Sequence, residues 1–165
     1  GKTTLVNALK ETEQFKDYAF RTERSKFLME QGIPLNTDST LKGQTVFLAE
    51  RCAELIQPNI ITDRTVIDVM AFTMNAKSIP YQDKENFEDY ASEFIREYDH
   101  IFYISPYGIP IEDNGVRETD EHYRDIIDFT ITTLIKKYGH RCPSIEKISG
   151  STDERIQQIL NITGL

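Results

Sequence analysis

Only two cysteines, Cys52 and Cys142, occur in 165 residues. They lie far apart and in no ligand-like spacing, which excludes a disulfide framework and points to a reducing, cytoplasmic setting. The three histidines, His100, His122 and His140, have no close His or Cys partner, so a structural zinc site is not expected. No apolar run approaches the ~18 residues that would span a membrane. A basic excess is lacking too: 19 Lys and Arg stand against 27 Asp and Glu, a net charge of −8. Proteins that hold nucleic acid carry a basic surplus or stripe, so a polynucleotide partner is not expected. A nucleotide is not excluded, because it needs only a few local Arg and Lys. No internal repeat, low-complexity tract or linker interrupts the chain. With 39% hydrophobic and 28% charged residues, residues 1–165 read as one globular domain with a sizeable core.

The stretch richest in meaning is Gly1-Lys2-Thr3-Thr4-Leu5. It matches the back half of the phosphate-binding pattern G-x-x-x-x-G-K-[ST]. In that reading Gly1 is the second glycine, Lys2 meets the β- and γ-phosphates, and the Thr3 hydroxyl helps hold Mg²⁺. The positive end of the following helix assists. The same five residues also suit an ordinary helix start.

Helical spacing covers residues 3–11, with Leu5, Ala8 and Leu9 on one face. Tyr18-Ala19-Phe20 suits a short strand, and residues 26–31 a helix closed by Gly32. Asp38 or Ser39 is the expected cap of the next helix, whose apolar face is Val46, Phe47, Ala49, Ala53, Leu55 and Ile56, and Pro58 stops it. Asn59-Ile60-Ile61-Thr62-Asp63-Arg64 reads as a strand ending in an acid, with a helix behind it. Residues 83–98 suit an exposed acidic helix and Ile101–Ser105 a second apolar strand. A loop follows, then a long helix over 120–138, a strand at Ile145–Ser149 and a terminal helix over 152–160. Strands alternating with helices imply an α/β fold with a parallel sheet. The sharp polar signatures fall just after strands, where such folds bind ligands.

In this order the motifs resemble a P-loop kinase. More narrowly, they resemble the small AAA-type ATPase/kinase family that includes the ribosylnicotinamide kinase domain of the bacterial NAD-salvage regulator. The residues that carry the likeness are Gly1 to Leu5, Gly43-Gln44, Ile61 to Thr65, Tyr98 to Ile104, Ile109 to Arg117, Ile148 to Ser151, and Arg155. The resemblance implies a three-layer P-loop NTPase fold whose central P-loop strand is missing from these residues. About ten further residues are then expected upstream, a strand of ~5–6 residues plus the front of the loop.

The resemblance also implies roles. Gly1, Lys2, Thr3 and Thr4 would hold the phosphates of ATP; Thr3 and Asp63 would hold Mg²⁺. Gly150 and Ser151 would cradle the adenine end, with Arg155 beside it. Glu23 stands where such kinases place the base that takes the acceptor's proton, or it is simply a first-turn glutamate. Arg24, Arg64 and Gln44 would touch the acceptor. Arg117 and Arg124 fall where a lid clamps the transferring group. Phe47, Phe72 and Tyr81 suit the core better than a substrate platform. The expected activity is transfer of the γ-phosphoryl of ATP-Mg to a small nucleoside-like acceptor. The alternatives are a nucleoside monophosphate kinase, a kinase of a hydroxymethylated DNA base, and a nucleotide-dependent regulatory module.

Overall fold

The computed structural model describes residues 1–22, 25–107 and 120–165. Helix α1 (Lys2–Lys10) leads to strand β1 (Ala19–Arg21), α2 (Ser25–Glu30) and α3 (Leu41–Leu55). Strand β2 (Ile60–Thr62), α4 (Val66–Met74) and α5 (Tyr81–Ser92) follow. Strand β3 (Ile101–Tyr103), α6 (Glu121–Tyr138), β4 (Ile145–Lys147) and α7 (Thr152–Thr163) complete the described order.

The strands sit where β-branched and aromatic residues cluster between turn residues, but they do not join into one sheet. β1 pairs with β2 in parallel, Ala19 opposite Ile60. β3 pairs with β4 in parallel, Ile101 opposite Ile145. Among the described residues the two pairs are separate.

Successive strand residues point to opposite faces, and two cores result. Ile101 joins the larger one, built from Leu48, Met70, Phe87, Ile95, Leu134 and neighbours on α3 to α6. Phe20, Ile61 and Phe102 pack against the smaller one, with Leu5 and Leu9 of α1, Phe15, and Ile159 and Leu160 of α7. Helices therefore cover both faces of the strands. Helix α4 lies at the centre of the first layer, touching α3, α5 and α6. Val66, Met70 and Ala71 on it are fully buried.

Several sequence expectations are corrected at the helix ends. The cap of α3 is Thr40, whose hydroxyl accepts from the Gly43 N–H, while Asn36–Asp38 form a 3₁₀ turn. The buried face of α3 carries Gly43, Gln44, Leu48, Arg51 and Glu54. The expected Ala49, Ala53 and Ile56 face water, Ile56 being 81% exposed. The apolar residues miscounted because Arg51 and Glu54, three residues apart, neutralise each other and enter the interior as a pair. Tyr81 is 74% exposed rather than in the core, since it opens α5 directly after Pro80. Among the described residues no helix is long and apolar enough to cross a membrane.

Candidate functional site

Three side chains from distant parts of the chain meet at the carboxyl ends of the strands. Helix α1 begins at Gly1 with no side-chain cap, so its first N–H groups face outward. Lys2 and Thr3 open its first turn, and Leu5, Val6 and Leu9 are its buried residues. Asp63 follows the last residue of β2, its N–H donating to the Arg21 carbonyl. That ladder bond fixes the aspartate at the sheet edge. The Thr3 hydroxyl donates to Asp63 Oδ2 at 3.3 Å across 60 residues of sequence. The other oxygen, Asp63 Oδ1, is buried and has no hydrogen-bond partner.

A cleft of about 990 Å³ runs from this point between β2 and β3. Its body is lined by Leu5, Leu9, Ile61, Ile101 and Phe102, and its mouth by Lys2, Thr3, Asp63, Arg64 and Arg124. Arg64 lies over the Phe72 ring, 5.1 Å from guanidinium carbon to centroid. Arg124 stands one turn into α6, near Asp125 at 3.7 Å.

Helix α4 starts immediately behind Asp63 and Arg64. Its cap is Thr65, with Asp68 accepting back from the Thr65 N–H at 2.8 Å. The Tyr98 hydroxyl accepts from the Val66 N–H at 3.2 Å. The start of α4, and the aspartate before it, are thus held from two directions.

Other predicted site residues lie elsewhere. Gln44 is 3% exposed, and its amide nitrogen donates to Ser39 Oγ at 2.9 Å. It pins the loop before α3 and does not line the cleft. Gly150 and Ser151 form the start of α7. Ser151 Oγ accepts from the Glu154 N–H, and Glu154 accepts from the Ser151 N–H at 2.6 Å. Gly150 has φ +98°, and a Cβ there would fall 2.3 Å from Glu154 Oε2, so this position requires glycine for the cap itself. Gly150 opens onto a separate shallow groove with Asp153 and Gln157. Arg155 is half-buried with an unpartnered Nε. Thr4, by contrast, is exposed on α1 and lines the cleft together with Gly1. Glu23, Arg24 and Arg117 lie outside the described residues.

Two features escaped sequence reading. The Tyr103 hydroxyl donates to Asp128 at 2.5 Å, tying the end of β3 to α6 one turn beyond Arg124. Burial and the Asp128 carboxylate push the Tyr103 hydroxyl pKa up. In sequence Asp128 looks like one more charge of a solvated helix face. The second feature is the Arg51–Glu54 pair, 2.7 Å apart and almost wholly buried. Burial pushes the Glu54 carboxyl up to about 7, against the lowering effect of Arg51, and Asp63 adds a small upward push.

A pH dependence follows. Folded Glu54 holds its proton more tightly than the ordinary carboxyl near 4.5, so its contribution to stability is full below that value. It is lost as pH rises towards about 7. Replacing Glu54 with Gln keeps an acceptor for Arg51 and removes the titration. Urea unfolding at pH 5 and pH 8 is expected to show the decline in the parent protein and a much flatter profile in Glu54→Gln. Equal slopes in the two proteins would contradict the assignment to Glu54.

The donor set at the cleft mouth suits a nucleotide with Mg²⁺. Hard oxygen ligands are offered by Thr3 and the unpaired Asp63 oxygen, and Mg²⁺ characteristically takes only one or two protein carboxylates. Among the described residues no cluster of three or more His, Cys, Asp or Glu forms a metal cage. A family model described as an AAA domain matches residues 1–155. Comparison with curated proteins and with solved structures gives no match.

Proposed function

Because the chain belongs to this family of AAA domains, which are nucleotide-binding P-loop domains, we propose that it is a small phosphotransferase. It moves the γ-phosphoryl of ATP to a small nucleoside-like acceptor. The observation that carries this reading is the meeting of Thr3 with Asp63 beside Lys2 at the cleft mouth.

Phosphoryl transfer asks a protein for position and charge rather than covalent chemistry. Lys2 and the outward N–H groups of α1 hold the β- and γ-phosphates. Thr3 and Asp63 hold Mg²⁺, which when bound neutralises charge on the phosphate oxygens. Arg124 reaches the cleft from α6 and, with Arg117 seven residues before it in the sequence, clamps the group in transit. Glu23 takes the proton of the acceptor hydroxyl, and Arg24 holds the acceptor. Gly150, Ser151 and Arg155 flank the adenine end.

An acceptor screen tests the reading. Ribosylnicotinamide, the common nucleosides and their monophosphates are each offered with ATP and Mg²⁺, and products are followed by mass. A phosphorylated nucleoside is expected, absent from Lys2→Ala and much reduced in Glu23→Gln. ATP hydrolysis with no phosphorylated acceptor would reject phosphotransfer in favour of a regulatory module.

The finer fold proposed is three-layered, with one more parallel strand between β2 and β3 leading into Gly1. Support comes from the strand edges. β2 spends one edge on β1, and β3 one edge on β4; residues of both strands line the cleft between them. A strand advances ~3.3 Å per residue, ~4.8 Å from its neighbour, in sheets ~10 Å thick, or ~160 Å³ per residue. The cleft of about 990 Å³ thus has room for roughly six such residues.

A further inference from the structure

Arg64 is the side chain whose surroundings the phosphotransfer reading leaves unexplained. In a chain with 27 acidic and 19 basic residues, arginines readily find carboxylates. Arg51 has Glu54, Arg96 has Glu93, Arg124 has Asp125 and Arg141 has Glu93; Arg21 and Arg155 have none among the described residues, but neither lines the cleft. Among the described residues Arg64 has no carboxylate within ion-pair distance. Its Nε is buried without a hydrogen-bond partner, although Asp63 precedes it directly. The guanidinium rests instead on the Phe72 ring at 5.1 Å, and both residues line the cleft. The backbone is fixed as well, since the Thr62 hydroxyl donates to the Arg64 carbonyl at 2.7 Å.

From this arrangement we infer that the acceptor carries an anionic group, phosphate or carboxylate, which Arg64 binds from its seat on Phe72. The inference rests on the phosphotransfer reading and narrows its substrate class. A planar guanidinium held against a ring loses little freedom on binding and presents a fork that matches two oxygens of an anion. Its place favours the acceptor over ATP. Phe72 packs against the core on the α4 side of the strands, whereas α1, which carries Lys2, packs against the core on the other side. Lys2 and Arg64 thus come to the cleft from elements packed on different cores, which suits one cation for each reactant.

Calorimetry without ATP is the first test, using a nucleoside, its 5′-monophosphate and a carboxylate-bearing nucleoside as probes. At least one anionic probe is expected to bind about tenfold or more tighter than the neutral nucleoside, and the preference to vanish in Arg64→Ala. Which probe gains identifies the anion. Arg64→Lys keeps the charge without the fork and should recover part of the preference, which guards against a folding defect in the alanine variant. In turnover, Arg64→Ala should raise the KM of the anionic acceptor by about tenfold or more while leaving that of ATP within about twofold. Equal binding of neutral and anionic probes overturns the inference. So does a rise in the KM of ATP instead of the acceptor's. The two readings fail separately. Arg64-dependent anion binding with no product rejects phosphotransfer but keeps the anion site. Transfer to neutral nucleosides that is unaffected by Arg64→Ala does the reverse.

Discussion

Asp63→Asn is expected to lower Mg²⁺-dependent nucleotide turnover by about 10²–10³-fold. Asparagine has the same size as aspartate and keeps one carbonyl oxygen. The Thr3 hydroxyl can still donate to it, so the junction between α1 and β2 survives. What goes is the charge and one oxygen, replaced by an amide that cannot ligand a cation. Asp63 is 7% exposed and its Oδ1 has no hydrogen-bond partner. A buried carboxylate held without full pairing is costly, so its neutralisation should leave the unfolding free energy unchanged or slightly raised. Loss of activity without loss of stability separates a cation-holding role from a helix-capping one, and Thr65 already caps α4. The measurement is turnover against Mg²⁺ concentration, beside an urea melt. Parent-like turnover at limiting Mg²⁺ in Asp63→Asn would remove Asp63 from the proposed chemistry.

The second large effect concerns the cleft between β2 and β3. Extending the chain ahead of Gly1 by a β-branched segment of about six residues, followed by the front of a phosphate loop, should stabilise the protein by several kcal/mol. Each apolar side chain buried there contributes ~1.5–3 kcal/mol. Bookkeeping against an extended chain overstates such gains. Even so, a few buried side chains are comparable with the ~5–15 kcal/mol that stabilises a whole domain. The added strand would also satisfy the edges of β2 and β3 that pair with nothing among the described residues, since an unpaired edge invites pairing with other chains. A polar extension of the same length provides the comparison. Unfolding free energies by urea, with binding of a hydrophobic dye, distinguish the two. Equal stability of the strand-forming and polar extensions would end the proposal of a strand at this place.

Local chemistry made much of the chain legible. β2 and β3 were readable because Ile60-Ile61 and Ile101-Phe102-Tyr103 are short apolar runs between turn residues. Helix α6 was readable because Asp120 caps it and its apolar residues repeat at helical spacing. The Gly1–Thr4 motif and the acid after β2 were each visible as local patterns. Their contact was not, because a hydrogen bond across 60 residues depends on how the strands are placed.

Where burial departs from hydrophobicity, sequence reading failed. Arg51 and Glu54 went inside, since a pair three residues apart on a helix can neutralise itself, while Ala49 and Ala53 stayed out. Gln44 is buried and hydrogen-bonded to Ser39 of the preceding loop, a contact that no local pattern showed. Ser151 also caps α7 through Glu154, a pairing across one helical turn that the Gly150-Ser151 pattern alone did not show. The sequence by itself determined the alternation of strands and helices, the phosphate-loop residues and the acidic balance. These follow from local propensity, spacing and composition. Only the tertiary structure decided that Thr3 meets Asp63, that Tyr103 ties β3 to Asp128, and that Arg64 faces the cleft on Phe72 with no carboxylate beside it among the described residues. Those are distances between residues far apart in the chain, set by packing two cores on opposite faces of the strands.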